Sequence, residues 1–249
     1  MRLGIGRPTP IVLATLITLV AMFIVTAIVS RFDDGAFYRL LVLDPVRFFP
    51  EHRYWTLLSA ALLHSLQSPG HLLFNCLAFY FFGPDLEGRW GARKFIAFMA
   101  LAELGGSSFV LGTHFIGLGS APVVGASSIT AGLIIAWAYT YPTREIYFFF
   151  LLPLKGIHLV YVTLGFEILN ALSLSSVSAA SHFGGMLVGF FFGETSPGRR
   201  LILKLRLRHL QSQSAKVGGS AARSRASGPP LRLIHGGQKE PPKDKRYLN

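Results

Sequence analysis

Residues 8–30 form an uninterrupted stretch without a charged side chain. About 20 mostly apolar residues are enough for a helix to cross the hydrocarbon core of a bilayer. Hydrophobic residues make up 51% of the 249-residue chain and charged residues only 14%, whereas soluble domains carry about 25% charged residues. The stretch therefore predicts a transmembrane helix. It is interpreted as uncleaved, because no clear small-residue cleavage site precedes Arg31.

Five further apolar segments follow, at residues 69–83, 95–113, 127–141, 157–172 and 179–192. Several are shorter than a full bilayer crossing, and their ends must be covered by protein or by a water-filled cavity, since unpaired backbone groups cannot face lipid. The pattern predicts an all-α membrane protein with a six-transmembrane-helix bundle and a polar pocket. Its expected parts are the N-terminus and first helix (1–30), a long first outer loop (31–66), a five-helix core (67–198) and a C-terminal tail (199–249).

The distribution of basic residues predicts the orientation of these helices. The predicted outer connections 114–126 and 173–178 contain no Lys or Arg, whereas the predicted inner connections hold Arg89, Arg93, Lys94, Arg144 and Lys155. The first outer loop is an exception, because residues 31–66 carry four basic and four acidic residues. The positive-inside rule then places both termini in the cytoplasm. No organellar targeting peptide is apparent, so the expected location is a bacterial cytoplasmic membrane. The aromatic-rich first outer loop is expected to be a packed cap beside a site.

The net charge of +12 is concentrated in the tail. From Arg199 onward there are thirteen Lys or Arg residues against Glu240 and Asp244. The Gly, Ser and Pro content predicts disorder after about residue 212, because such a composition cannot bury a core. The alternation of basic and aliphatic residues in 199–210 is expected to bind anionic lipid headgroups. Nucleic acid is disfavoured, because no aromatic platform accompanies the charge.

Three chemically useful side chains begin three of the predicted helices. His71, Ser127 and His182 each fall near the first turn of the second, fourth and sixth helix. These alternate helices run in the same direction, so the three residues are expected at one depth. Ionisable groups inside a membrane are candidates for function. The alternative is that they only form hydrogen bonds between helices.

The surrounding residues favour nucleophilic chemistry. Small residues next to Ser127 and His182 allow their helices to approach closely. The Ser127 hydroxyl could then use the His182 imidazole as general base. The N-terminus of the Ser127 helix and the Asn75 amide could stabilise an oxyanion, with His71 one turn before Asn75. No carboxylate is obviously placed to orient His182, so the residues predict a dyad.

The remaining buried polar residues have simpler interpretations. Glu103 and Glu167 are expected to form hydrogen bonds between helices, with Asn170 one turn from Glu167. His64 and His114 are expected near the outer surface in structural or interfacial roles.

Three motifs occur in a fixed order on the predicted helices: His71-x-x-x-Asn75, Gly125-Ala126-Ser127 and His182-Phe183-Gly184-Gly185. Together they resemble the rhomboid family of intramembrane serine proteases over about residues 50–193. The resemblance implies a six-helix core, Ser127 as nucleophile, His182 as base, and an oxyanion site lined by His71 and Asn75. It also implies cleavage of transmembrane protein substrates in or near their membrane segments, without metal or cofactor.

Some positions depart from that family pattern. Ser128 replaces the usual glycine after the nucleophile, Ala131 replaces an aromatic residue one turn later, and the interval from His64 to His71 is two residues longer than is common. An inactive rhomboid-like protein that binds transmembrane helices is therefore the alternative function. A transporter or channel using Glu103 and Glu167 is a third class, although no inverted repeat is visible. The oligomeric state is open.

Overall fold

The computed structural model describes residues 7–148, 152–172 and 176–226. Within these ranges the fold is predominantly helical. In chain order the elements are α1 (Pro10–Val29), α2 (Ala36–Leu41), α3 (Pro45–Phe48), α4 (Thr56–Ser59), a 3₁₀ helix (Ala60–Leu62), α5 (Pro69–Trp90), α6 (Ala92–Phe115), α7 (Ser127–Thr140), β1 (Glu145–Phe148), β2 (Leu152–Lys155), α8 (Gly156–Leu172), α9 (Ser176–Phe192) and α10 (Pro197–Ala226).

Five of the six apolar segments coincide closely with helices of the structure. By length and composition, α1 and α6 are sufficient to cross a membrane, while α7, α8 and residues 179–192 of α9 are shorter apolar helices. The boundaries of these helices agree with the sequence prediction to within a few residues. The six-span topology itself stays a prediction.

The helix α5 is longer than its apolar segment. It was predicted to end at Gly83 but continues through Pro84, which removes a backbone donor from the helix. The extension is held by its charged residues. Asp85 accepts hydrogen bonds from Trp137 Nε1 at 2.8 Å and from an Arg144 guanidinium nitrogen at 2.6 Å. The predicted end was wrong because it was set by hydropathy, whereas these polar contacts stabilise the last turns.

The same extension of α5 holds the start of α1. The first backbone N–H groups of a helix have no partner within it. Here the Glu87 carboxylate accepts hydrogen bonds from the Ile11 and Val12 amides at 3.0 and 2.9 Å, and from the Thr9 hydroxyl at 2.5 Å. A negative group at a helix N-terminus is also favoured by the helix dipole. One buried carboxylate therefore caps α1 and ties it to α5.

The helix α7 lies at the centre of the bundle. Ten of its 14 residues are buried, and it contacts α5, α6, α8 and α9. Its sequence is apolar on all sides, as expected for a helix surrounded by protein. The residues that begin α7 are consequently enclosed by neighbouring helices.

Glycines bring the backbones of α7 and α9 into direct contact. A Cβ on Gly185 would lie 1.9 Å from the carbonyl oxygen of Ser128, and one on Gly189 would lie 2.2 Å from that of Gly132. No side chain fits at either point, which is how small residues promote helix packing in membranes. We call this contact the α7–α9 crossing. Both contacts advance by four residues on each helix, so α7 and α9 run parallel.

The segment between α1 and α5 packs onto the bundle. Leu43 and Phe48 are almost completely buried and pack with residues of α6 and α9, namely Val110, Leu111 and Ala180. The Leu43 backbone also pairs with Val123, just before α7. The burial of Leu43 and Phe48 agrees with a packed segment, while its role as an outer cap beside a site stays a prediction. Tyr54 and Trp55, by contrast, are about half exposed, at 52% and 48%.

A short sheet adds to the predicted all-α fold. The strands β1 and β2 pair antiparallel, with Glu145 opposite Lys155 and Tyr147 opposite Pro153. Aromatic and branched side chains favour strands, and Pro is tolerated where a strand lies at a sheet edge. The purely helical prediction was wrong at this connection between α7 and α8.

The C-terminal region is helical further than predicted. By internal contacts the chain divides into Met1–Leu203 and Lys204–Asn249. The helix α10 covers Pro197–Ala226, so the expected disorder after about residue 212 was wrong as far as Ala226. Leu, Lys, Arg, Gln and Ala, which dominate the start of the tail, are strong helix formers. Residues 227–249 lie outside the described residues.

Candidate active site

Ser127 is the first residue of α7, directly after a turn that requires glycine. Gly125 has φ +112°, a conformation that side chains rarely allow. Ala126 follows at the N-cap and is buried. The turn therefore presents Ser127 beside the free backbone N–H groups at the start of a helix.

The His71 ring packs against this turn. A Cβ on Gly125 would lie 2.4 Å from His71 Cε1, so glycine is required at this position for space as well as for its φ angle. His71 belongs to the first turn of α5. The structure thus brings His71 against Gly125, which lies two residues before Ser127 in the chain.

Asn75 is held by hydrogen bonds on both sides of its amide. Its Nδ2 lies 3.0 Å from His64 Nε2, and its Oδ1 accepts a hydrogen bond from the Thr130 hydroxyl at 2.9 Å. Asn75 is only 3% exposed. Its amide is therefore fixed between the segment before α5 and the first turn of α7.

His64 was expected in a structural or interfacial role near the outer side of the membrane. It is completely buried, and its ring centroid lies 5.3 Å from that of His71. It supports Asn75 from the residues that precede α5. The sequence feature that could have indicated this contact is the short interval between His64 and His71, which keeps the two residues at the same end of the bundle.

The packing of α7 against α9 sets the height of His182 relative to Ser127. At the α7–α9 crossing, Ser128 faces Gly185. Ser127 lies one residue before Ser128, and His182 lies three residues before Gly185. The two residues therefore differ by two positions, or about 3 Å along the helix axes. His71 also interacts electrostatically with His182. Within the described residues, no hydrogen bond joins Ser127 Oγ to the His182 ring.

A carboxylate lies against His182, contrary to the sequence prediction. Glu167 Oε2 of α8 is 2.8 Å from His182 Nδ1. The ring nitrogen nevertheless lacks a partner with hydrogen-bond geometry, because the two groups meet at a poor angle. The sequence did not reveal it because residues on separate helices meet only when both helix rotations are known.

Comparison with known proteins identifies the family. The family model of the rhomboid domain matches residues 51–196, more than half of the chain. The chain belongs to the rhomboid family. Rhomboid proteins are integral membrane proteins, in agreement with the apolar helices of this structure.

Two curated proteins are similar to this rhomboid chain. Rhomboid protease GluP of Bacillus subtilis (strain 168) is 29% identical over 140 residues, which cover 55% of the chain and 25% of that protein. The mitochondrial RHOMBOID-like protein 12 of Arabidopsis thaliana is 26% identical over 155 residues, 56% of the chain and 46% of that protein. The chain therefore matches less than half the length of either relative.

The departure from the rhomboid pattern at Ser128 has a structural explanation. Its hydroxyl donates a short hydrogen bond to Glu103 of α6, and both residues are buried. Ser107 adds a longer hydrogen bond to the same carboxylate, at 3.5 Å. The expected interhelical role of Glu103 is thereby confirmed. Ser128 and Glu103 join α6 and α7 directly behind Ser127.

Proposed function

We propose that this rhomboid is an intramembrane serine endopeptidase that hydrolyses peptide bonds in or near transmembrane segments of membrane proteins. Ser127 is the nucleophile, His182 is the general base and acid, and His71 and Asn75 stabilise the oxyanion. The observation that carries the proposal is the parallel α7–α9 crossing, in which Ser128 faces Gly185; this register supports a position of His182 within about 3 Å of the level of Ser127 along the helix axes.

The reaction begins when Ser127 Oγ attacks the substrate carbonyl carbon and His182 accepts the hydroxyl proton. The carbonyl oxygen becomes an oxyanion in the tetrahedral intermediate. His182 then protonates the leaving amine as the C–N bond breaks. Water, deprotonated by His182, hydrolyses the acyl-enzyme and regenerates Ser127.

Several donors near Ser127 support stabilisation of the oxyanion. Backbone N–H groups at the start of α7 are free to donate. Asn75 Nδ2 carries two hydrogens, and His64 occupies one of them. Because Thr130 fixes the other end of the amide, the remaining N–H is preorganised. His71 contributes a ring nitrogen from the opposite side of the turn.

The proposed setting is a six-span bundle with both termini in the cytoplasm of a bacterium. The parallel arrangement of α7 and α9, and the contact of the first turns of α5 and α7, support a single active-site level. The distribution of Lys and Arg supports its location towards the outer face. Transmembrane proteins are the proposed substrates, and the basic tail is proposed to bind anionic headgroups.

The test is cleavage of a single-span reporter by the purified chain in liposomes. We expect Ser127→Ala and His182→Ala each to lower the rate by at least about 10³-fold. The matched controls are Ser120→Ala and His114→Ala. Each removes the exposed hydrogen bond between the Ser120 hydroxyl and the His114 ring, and each should leave the cleavage rate unchanged. Equal cleavage by Ser127→Ala and the wild type would refute the proposal.

A rhomboid-like protein that binds transmembrane helices without cleaving them is the second candidate. It is favoured by the absence of a Ser127–His182 hydrogen bond in the described residues and by the small Ala131 on α7. Reaction with a serine-directed fluorophosphonate probe separates the two functions. Labelling that depends on Ser127 supports the protease, whereas an unreactive chain that retains a bound transmembrane peptide supports the binder.

A further inference from the structure

The ring of His182 has two nitrogens on different edges, and they have different surroundings. Nδ1 lies 2.8 Å from Glu167 Oε2. A neutral imidazole carries its proton on one nitrogen and can accept a proton only at the other. A carboxylate beside Nδ1 favours the proton there, which leaves the Nε2 lone pair free for Ser127.

The α8 sequence contains no Asp, Lys or Arg, and Glu167 is its one glutamate. Its side chain is 14% exposed and that of His182 is 17% exposed. A carboxylate inside an apolar helix is unfavourable unless it has a partner. Asn170 lies at 3.5 Å from the same carboxylate oxygen, so His182 provides the nearer contact.

The other helices around His182 offer no second carboxylate at this nitrogen. His71 of α5 interacts with the ring electrostatically, and Glu103 of α6 is engaged by Ser128. The sequences of α7 and α9 contain no Asp, Glu, Lys or Arg. On α7, the residue one turn after Ser127 is Ala131, whose methyl group is too small to clamp an imidazole ring.

We propose that Glu167 is a positioning residue that holds His182 in the Nδ1–H tautomer with Nε2 directed towards Ser127. This inference rests on the proposed protease function for its catalytic consequence, but the tautomer itself does not. The active site is then a Ser–His–Glu arrangement assembled from α7, α9 and α8. It differs from the dyad that the sequence predicted.

The first test is ¹⁵N NMR of histidine-labelled full-length protein in detergent, with His182→Ala used to assign the signal. At alkaline pH we expect His182 to show the Nδ1–H tautomer. Glu167→Gln should mix the two tautomers, because an amide can donate as well as accept, and Glu167→Asp should restore the wild-type signal in part. Glu145→Gln, at an exposed carboxyl in β1, is the control. Identical His182 spectra in wild type and Glu167→Gln would overturn the inference.

The second test is the rate of fluorophosphonate labelling at Ser127. Glu167→Gln should lower this rate by about 10²-fold, the scale of general base catalysis. Glu167→Asp should recover part of the rate. A wild-type labelling rate in Glu167→Gln would overturn the positioning role. If the wild type is not labelled, the proposed function falls, and the NMR spectra alone decide the tautomer.

Discussion

The substitution Gly185→Ala tests the α7–α9 crossing directly. The new Cβ would lie 1.9 Å from the Ser128 carbonyl oxygen, whereas ordinary van der Waals contact begins at 3.4 Å. The two backbones would have to separate by about 1.5 Å, since neither can rotate away as a side chain does. The substitution acts on the helix pair that carries both Ser127 and His182.

The separation predicts a loss of both stability and activity. Overpacking usually costs 1–3 kcal/mol, and a backbone clash should reach the upper end, about 3 kcal/mol. For a chain of this size this corresponds to a decrease in melting temperature of about 6–12 °C. Displacement of His182 relative to Ser127 by about 1 Å should lower the labelling rate about 10²-fold.

Thermal unfolding in detergent and the rate of fluorophosphonate labelling measure these two effects. Gly165→Ala on α8 is the matched control, because nothing lies within 4 Å of its added Cβ. It should unfold at the wild-type temperature or slightly above, since Ala favours helices over Gly. If Gly185→Ala unfolds and reacts like Gly165→Ala, the backbone contact described for the crossing is incorrect.

Two further predictions concern carboxylates outside the catalytic centre, each measured by thermal unfolding against Glu145→Gln. Glu87→Gln should destabilise the bundle by about 2–3 kcal/mol, because the α1 amides lose a charged acceptor, and unchanged unfolding would contradict the cap. Arg89, 2.7 Å from Glu194, lowers the pKa of the Glu194 carboxyl through their hydrogen bond. The contribution of the Glu194 carboxylate to the free energy of unfolding should be complete above the normal carboxyl pKa and be lost as the pH falls through the lower pKa of the folded state. The unfolding temperature of Glu194→Gln should therefore depend less on pH on the acidic side.

The sequence predicted most of the helices because hydropathy alone marks an apolar span. It also predicted that Ser127, His71 and His182 would meet, since each follows a recognisable motif near a helix start. His71 packs on Gly125, two residues before Ser127, whereas the meeting of Ser127 with His182 stays a prediction. Their catalytic roles stay proposals.

Contacts between polar side chains were harder to predict. The end of α5 depends on Asp85 meeting Trp137, 52 residues away, and hydropathy does not record such a partner. The contacts of His64 with Asn75 and of Glu167 with His182 were not predicted, because the sequence does not fix the rotation of one helix against its neighbours. Successive side chains on a helix are rotated by about 100° about its axis. A change in helix rotation of this size can therefore move a side chain from the site to the lipid-facing side.

The cap that Glu87 provides for α1 has a consequence for how the protein is made. Val12 and its partner are 75 residues apart in the chain, and a ribosome adds about 5–20 residues per second. Helix α1 therefore waits about 4–15 s before its acceptor has been synthesised. During that interval its leading amides depend on water or lipid headgroups. Insertion of this helix into the bilayer and its locking into the finished bundle are thus separate events in biogenesis.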